Sequence, residues 1–141
     1  MAEAVEITMQ LAEGMHFVGT NAAGLTVHLD SPTMGGGAGA SPVQLLLMSL
    51  AGCSGMDVMA IMRKKRQDVQ ALEVFAHGVR GEAYPKPFTS IQLAYRFTGT
   101  GLDGDACERA IGLSRDTYCP IWAMLRPTVE ISFTYTITEP S

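Results

Sequence analysis

The spacing of apolar residues changes period along this chain, and each change predicts an element. In residues 128–138 (TVEISFTYTIT), Val129, Ile131, Phe133, Tyr135 and Ile137 alternate with polar neighbours. A period of two puts them on one face of a strand. Residues 90–98 repeat the pattern with Ile91, Leu93, Tyr95 and Phe97, and residues 69–84 with Leu72, Val74, Ala76 and Val79. Gly78 and Gly81 mark a bulge or bend in that long strand. Tyr84-Pro85-Lys86-Pro87 reads as the turn that makes 69–98 a hairpin. Near the start, residues 6–11, 15–20 and 25–29 are short strand candidates. They are broken at Glu13-Gly14 and Ala23-Gly24, which predicts a three-stranded meander within 1–30.

Residues 41–66 lose the alternation and read as one long central helix. Ser41 can cap its first turn, Pro42 suits the first helical position, and Arg63, Lys64, Lys65 and Arg66 suit the negative end of its dipole. Its apolar positions run almost all the way round, which predicts a helix buried on every side. Gln44, Ser49, Ser54 and Asp57 interrupt the run, so it reads as a protein core and not a membrane span. Cys53 sits mid-helix between Gly52 and Gly55, where small neighbours leave room to approach a sulfur. The Gly-rich stretch 30–40 before it reads as a flexible connector or lid. It lacks the Gly-Lys-Ser/Thr ending of a phosphate-binding loop.

A second helical region covers 103–125. Ala106, Ala110, Ile111 and Ser114 have helical spacing, Pro120 can start a last short turn, and Pro127 stops it. The order βββ-α-ββ-α-β is α+β with mainly antiparallel strands, in a single domain spanning 1–141.

Composition narrows the function. The chain has 141 residues, 47% hydrophobic and 17% charged, which suits a globular core. A net charge of −4 argues against nucleic acid as a partner. There is no basic head followed by an apolar stretch at the start, and three cysteines do not form a disulfide scaffold. A reducing cytoplasm is the expected location. His16, His28 and His77 are dispersed, so no metal site or cofactor is expected, although His16 and His28 lie on adjacent strands and can meet. Cys107 reads as a packing residue. Cys53 and Cys119 remain as candidates for chemistry, and residue type alone leaves open that both are buried apolar residues that never meet.

Ser41-Pro42-x-x-Leu45-Leu46-Leu47-x-x-Leu50-Ala51-Gly52-Cys53, then Ser114-x-x-x-Tyr118-Cys119-Pro120 and a Val/Ile-rich last strand, resemble the OsmC/Ohr family. Its members are the osmotically induced protein C and organic hydroperoxide resistance proteins. The resemblance covers nearly the whole chain. It implies an intertwined homodimer, with two central helices wrapped by sheets and active sites at the subunit interface. It also implies that Cys53 is the nucleophile that attacks a peroxide and becomes a sulfenic acid. Cys119 would then be the resolving thiol that closes a disulfide, and an external dithiol the reductant. An apolar surround would select organic hydroperoxides. Two departures stand out. Peroxidase members carry a Glu where this chain has Val43, and they use an Arg from the N-terminal strands or the loop before the helix, whereas no Arg or Lys precedes Arg63 here. Arg80, Arg96, Arg115 and Arg126 are left as sources of the activating cation. The pattern matches an OsmC-like branch without the usual Arg and Glu. Two functions fit it: reduction of organic hydroperoxides, or binding of a small apolar ligand or thiol redox sensing without turnover.

Overall fold

A computed structural model describes residues 2–141. Contacts divide the chain into two compact units, 1–46 and 47–141.

The first unit is the expected meander. Strands β1 (Ile7–Glu13), β2 (His16–Asn21) and β3 (Thr26–Leu29) pair in sequence order, all antiparallel. Gly14 and Gly24 take the left-handed backbone, with φ of 59° and 83°, that their tight turns require. His16 Nε2 lies 2.8 Å from His28 Nδ1 across the β2–β3 pair, as the strand order predicts. The 30–40 stretch is not the loose connector its glycines suggest. Asp30 is only 4% exposed, and its carboxylate accepts from the Ser31 and Ala38 N–H groups at 2.8 and 2.9 Å. These bonds, Ala38 first, hold its carboxyl below the usual range. A side chain at Gly39 would run into the His28 carbonyl. The loop is therefore wound around one acidic side chain and ends in a bridge between Leu29 and Ala40.

Helix α1 (Pro42–Lys64) follows. Its start is a reciprocal capping box: Gln44 N–H donates to Ser41 Oγ at 3.1 Å, and Ser41 N–H donates to Gln44 Oε1 at 3.0 Å. At its end Gln67 N–H bonds the Met62 carbonyl and Arg66 N–H the Arg63 carbonyl, with Arg66 at φ 57°. This is a Schellman ending with arginine where glycine is usual.

In the second unit β4 (Asp68–Arg80) and β5 (Phe88–Thr100) form the hairpin, antiparallel as expected. Helix α2 (Gly104–Leu113), a π-helical turn (Ser114–Tyr118) and helix α3 (Pro120–Leu125) then carry the chain back to β6 (Glu130–Thr138). Because the return runs through this long helical crossover, β6 pairs with β5 in parallel, Ile91 beside Ile131 and Phe97 beside Ile137. The described sheets are thus mainly antiparallel with one parallel pair.

Ile91, Leu93, Tyr95 and Phe97 all point into the core, with Leu50, Val58, Met62, Ile111 and Trp122. Val79 departs from its expected face. It is 46% exposed, because alternation runs unbroken from Leu72 through Val79 and the register shift comes only after it. Gly78 takes the inner position, where the Phe88 ring leaves no room for a side chain. The helix also departs from expectation. Within one chain α1 fully buries only Leu50, Ser54, Val58 and Met62, while Met48 and Met56 are 55% and 76% exposed. By length and composition α1 could cross a membrane. However, Ser54 and Asp57 on its inward side are hydrogen-bonded to other parts of the protein, the behaviour of a core helix.

Candidate functional site

Cys53 and Asp57 are one helical turn apart on α1, so their side chains lie one above the other on the same face. Cys119 is delivered by the crossover. The π-helical turn closes with the Cys119 N–H on the Ser114 carbonyl at 2.8 Å. One residue more than an α-turn holds is accommodated there. Cys119 then caps α3: its sulfur accepts from the Trp122 N–H at 3.4 Å, and Pro120 opens the helix. The two sulfurs and an Asp57 oxygen all lie within 4.8 Å of one another. All three cysteines are free thiols. Cys107 is buried in α2 as a packing residue, as expected.

A buried hydrogen-bond chain supports this cluster. Tyr95 OH and Ser54 Oγ are 2.6 Å apart. Ser114 Oγ lies 2.9 Å from Ser54 Oγ and 2.9 Å from Asp57 Oδ2. Ser114 has a single hydroxyl hydrogen, and an ionised carboxylate can only accept. Ser114 therefore donates to Asp57, Ser54 to Ser114, and Tyr95 to Ser54. Burial pushes the Tyr95 phenol up to about 12, so it stays a donor. The sequence singles out Ser54 and Asp57 only as interruptions of an apolar helix. Ser114 stands in the family pattern, but its partners are 57 and 60 positions away. Nothing in the period of the sequence announces Tyr95 as anything but a core residue.

The electrostatics run against an activated thiol. Burial first, then the hydrogen bond with Cys119 and the neighbouring negative groups, push the Cys53 thiol up to about 11. The Ile121 N–H pulls the other way. The four arginines that the sequence offers as activators are engaged elsewhere. Arg115 forks onto Asp116 at 2.8 and 2.9 Å. Arg126 reaches the same carboxylate at 3.7 Å. Arg96 pairs with Glu73 at 3.3 Å, and Arg80 donates to the Lys86 carbonyl at 2.8 Å.

Beside the Cys53 turn lies an open groove of about 540 Å³, with Gly52, Gly55, Met56, Met59 and Val74 among its walls and Arg63 also lining it. A Cβ on Gly52 would meet nothing within 4 Å. The two glycines thus open this groove beside Cys53, while the sulfur itself faces Cys119 and Asp57.

Residues 35–134 match the family described as OsmC-like protein. Protein YhfA of Escherichia coli K12 is 35% identical over 133 residues, covering 94% of this chain and 98% of YhfA. A solved structure from Aquifex aeolicus VF5 superposes with a TM-score of 0.89 at 29% identity, covering 99% of this chain and all of that one. An organic hydroperoxide resistance protein OsmC from Legionella pneumophila shares the fold, with a TM-score of 0.68 at 17% identity over 96% of this chain and 98% of its own. In sequence over nearly its full length, and in the order and pairing of its elements, this chain belongs to the OsmC/Ohr family.

Proposed function

We propose that this protein is a homodimeric, cytoplasmic thiol protein that reduces organic hydroperoxides through Cys53 and Cys119. The observation that carries this reading is the approach of the two sulfurs, which lie within 4.8 Å although their residues are far apart in sequence. The Cys53 thiolate takes the terminal oxygen of the hydroperoxide, releasing the alcohol and leaving a sulfenic acid. Cys119 displaces the hydroxyl as water and forms the disulfide. A dithiol reductant restores both thiols, so two electrons pass from the dithiol to the O–O bond. The sulfurs need to close to about 2 Å for that bond. The apolar groove beside the Cys53 turn would receive the organic part of the substrate. A second copy of the chain would cover the exposed methionines of α1.

One observation favours a second reading. A thiol pushed up to about 11 beside a carboxylate is a poor nucleophile at neutral pH. A protein that oxidises once as a sensor, or that binds an apolar ligand without turnover, tolerates such a thiol. The test treats the reduced protein with one equivalent of cumene hydroperoxide. Loss of two hydrogens, mapped to a Cys53–Cys119 bridge, supports the redox pair. Steady turnover with a dithiol, lost in Cys53→Ser, identifies the peroxidase. A single oxidation without turnover identifies the sensor. No oxidation sinks the redox reading.

A further inference from the structure

We infer that Cys53, Asp57 and Cys119, in their reduced state, form a binding site for a zinc-like divalent cation. The donor set is two thiols and a carboxylate, which suits a borderline-soft metal such as zinc. Cys53 and Asp57 come from successive turns of one helix face, and Cys119 comes from a separate element opposite. Such a clip and its closing ligand hold a metal from two sides. The three donor atoms lie within 4.8 Å of one another. Around a tetrahedral zinc, with sulfur at about 2.3 Å and oxygen at about 2.0 Å, neighbouring donors sit roughly 3.5–3.8 Å apart. Closing the site takes side-chain movements of about 1 Å.

The surroundings fit as well. Each donor already has a hydrogen-bond partner of the kind that orients metal ligands. Ser114 donates to Asp57 Oδ2, which leaves the other carboxylate oxygen for the metal. The Trp122 N–H donates to the Cys119 sulfur, and the Ile121 N–H acts on the Cys53 sulfur. A divalent ion would also bring positive charge to a site whose charged neighbour is a carboxylate and whose candidate arginines are engaged elsewhere. Three protein ligands leave the fourth corner for water or a small ligand. This site stands apart from the hydroperoxide reading, because it needs both thiols reduced and no oxidant.

The experiment titrates reduced, chelator-stripped protein with Co²⁺ and then with Zn²⁺. One equivalent of cobalt is expected to give a sulfur-to-cobalt charge-transfer band in the near ultraviolet, and one equivalent of zinc to abolish it. Cys53→Ser and Cys119→Ser lose the band, and Cys107→Ser keeps it. Ser114→Ala binds about 10- to 100-fold more weakly, because Asp57 loses its orienting donor. X-ray absorption at the zinc edge tests the unaltered protein: two sulfur neighbours at about 2.3 Å support the site. A shell of nitrogen and oxygen alone, no binding at stoichiometric metal, or a cobalt band that survives in Cys53→Ser overturns it. So does zinc held instead by His16 and His28.

Discussion

Ser114 hands its one hydroxyl hydrogen to Asp57 Oδ2 at 2.9 Å, from the end of α2 to the middle of α1. That bond fixes the direction of every other bond in the chain from Tyr95 through Ser54. It also decides which substitution does most damage. Ser114→Ala leaves Ser54 without its acceptor and a partly buried carboxylate short of a donor. Stranding such groups costs about 1–3 kcal/mol. Tyr95→Phe removes only the terminal donor, whose loss is worth about 1 kcal/mol. In urea unfolding, both variants should show a lowered midpoint with an unchanged slope, and Ser114→Ala the larger drop. Equal or negligible shifts would mean that the chain is not ordered in this direction.

The raised Cys53 thiol gives a pH signature. At pH 7 only about 10⁻⁴ of a thiol at 11 is ionised. Oxidation of Cys53 by one equivalent of organic hydroperoxide should therefore speed up about tenfold per pH unit from 7 to 10, and level off near 11. Asp57 is among the negative groups that raise it, so Asp57→Asn should move the plateau to lower pH. Stability follows the same shift. The unfolded thiol, at an ordinary 9.0, loses its proton before the folded one at about 11. Folded protein then holds more protons, so stability declines as the pH rises from about 9 to about 11. Stopped-flow oxidation and urea titrations across this range check both. A rate already flat at pH 7 would mean that a cation reaches the sulfur from outside this chain.

How much of this could be read from the residues follows from what periodicity measures. Alternation located β5 and β6 and named Ile91, Leu93, Tyr95 and Phe97 as core. It is blind to strand direction, because a parallel and an antiparallel strand alternate identically, and so the β5–β6 pairing was hidden. In β4 the bend expected at Gly78 comes only after Val79, so plain alternation leaves Gly78 on the inner face and Val79 outside. For the central helix, the sequence counts apolar side chains but not what lies against them, hence the exposed Met48 and Met56. The Asp30-centred loop was masked by its glycines, whose freedom here serves a tight wrap. At the site, Cys53 and Cys119 were paired only through family resemblance. Asp57 and Ser114 could not be joined at all, because the π-helical turn that aims the second helical region at α1 has no signature in a 3.6-residue period.

The end of α1 offers a stabilising change. Arg66 holds φ 57° at the position where a Schellman ending favours glycine. Left-handed backbone costs a residue with a Cβ roughly 1–2 kcal/mol relative to glycine. Glycine also adds freedom to the unfolded chain, which offsets part of that gain. Arg66→Gly should raise stability by about 1 kcal/mol. The helix end keeps other positive charges in Arg63, Lys64 and Lys65. A loss of stability would show that the Arg66 side chain makes contacts that outweigh its strained backbone.

The exposed side of α1 separates a monomer from the proposed dimer. Met56 is 76% exposed in one chain, and it walls the groove with Gly52, Gly55 and Met59. In a monomer, Met56→Asp would replace an exposed apolar group with a soluble one, a change usually within about 0.5 kcal/mol. In a dimer that buries this face, the same substitution would place an unpaired carboxylate in an apolar contact, which costs far more than an exposed change. Sedimentation equilibrium should show the unaltered protein as a dimer and Met56→Asp as monomer or as a much weaker dimer. The melting temperature of the unaltered dimer should depend on protein concentration, because its dissociation and unfolding are linked, and that of a monomeric variant should not. A variant that sediments like the unaltered protein would remove α1 from any subunit contact. The groove along α1 would then be an open surface of a single chain.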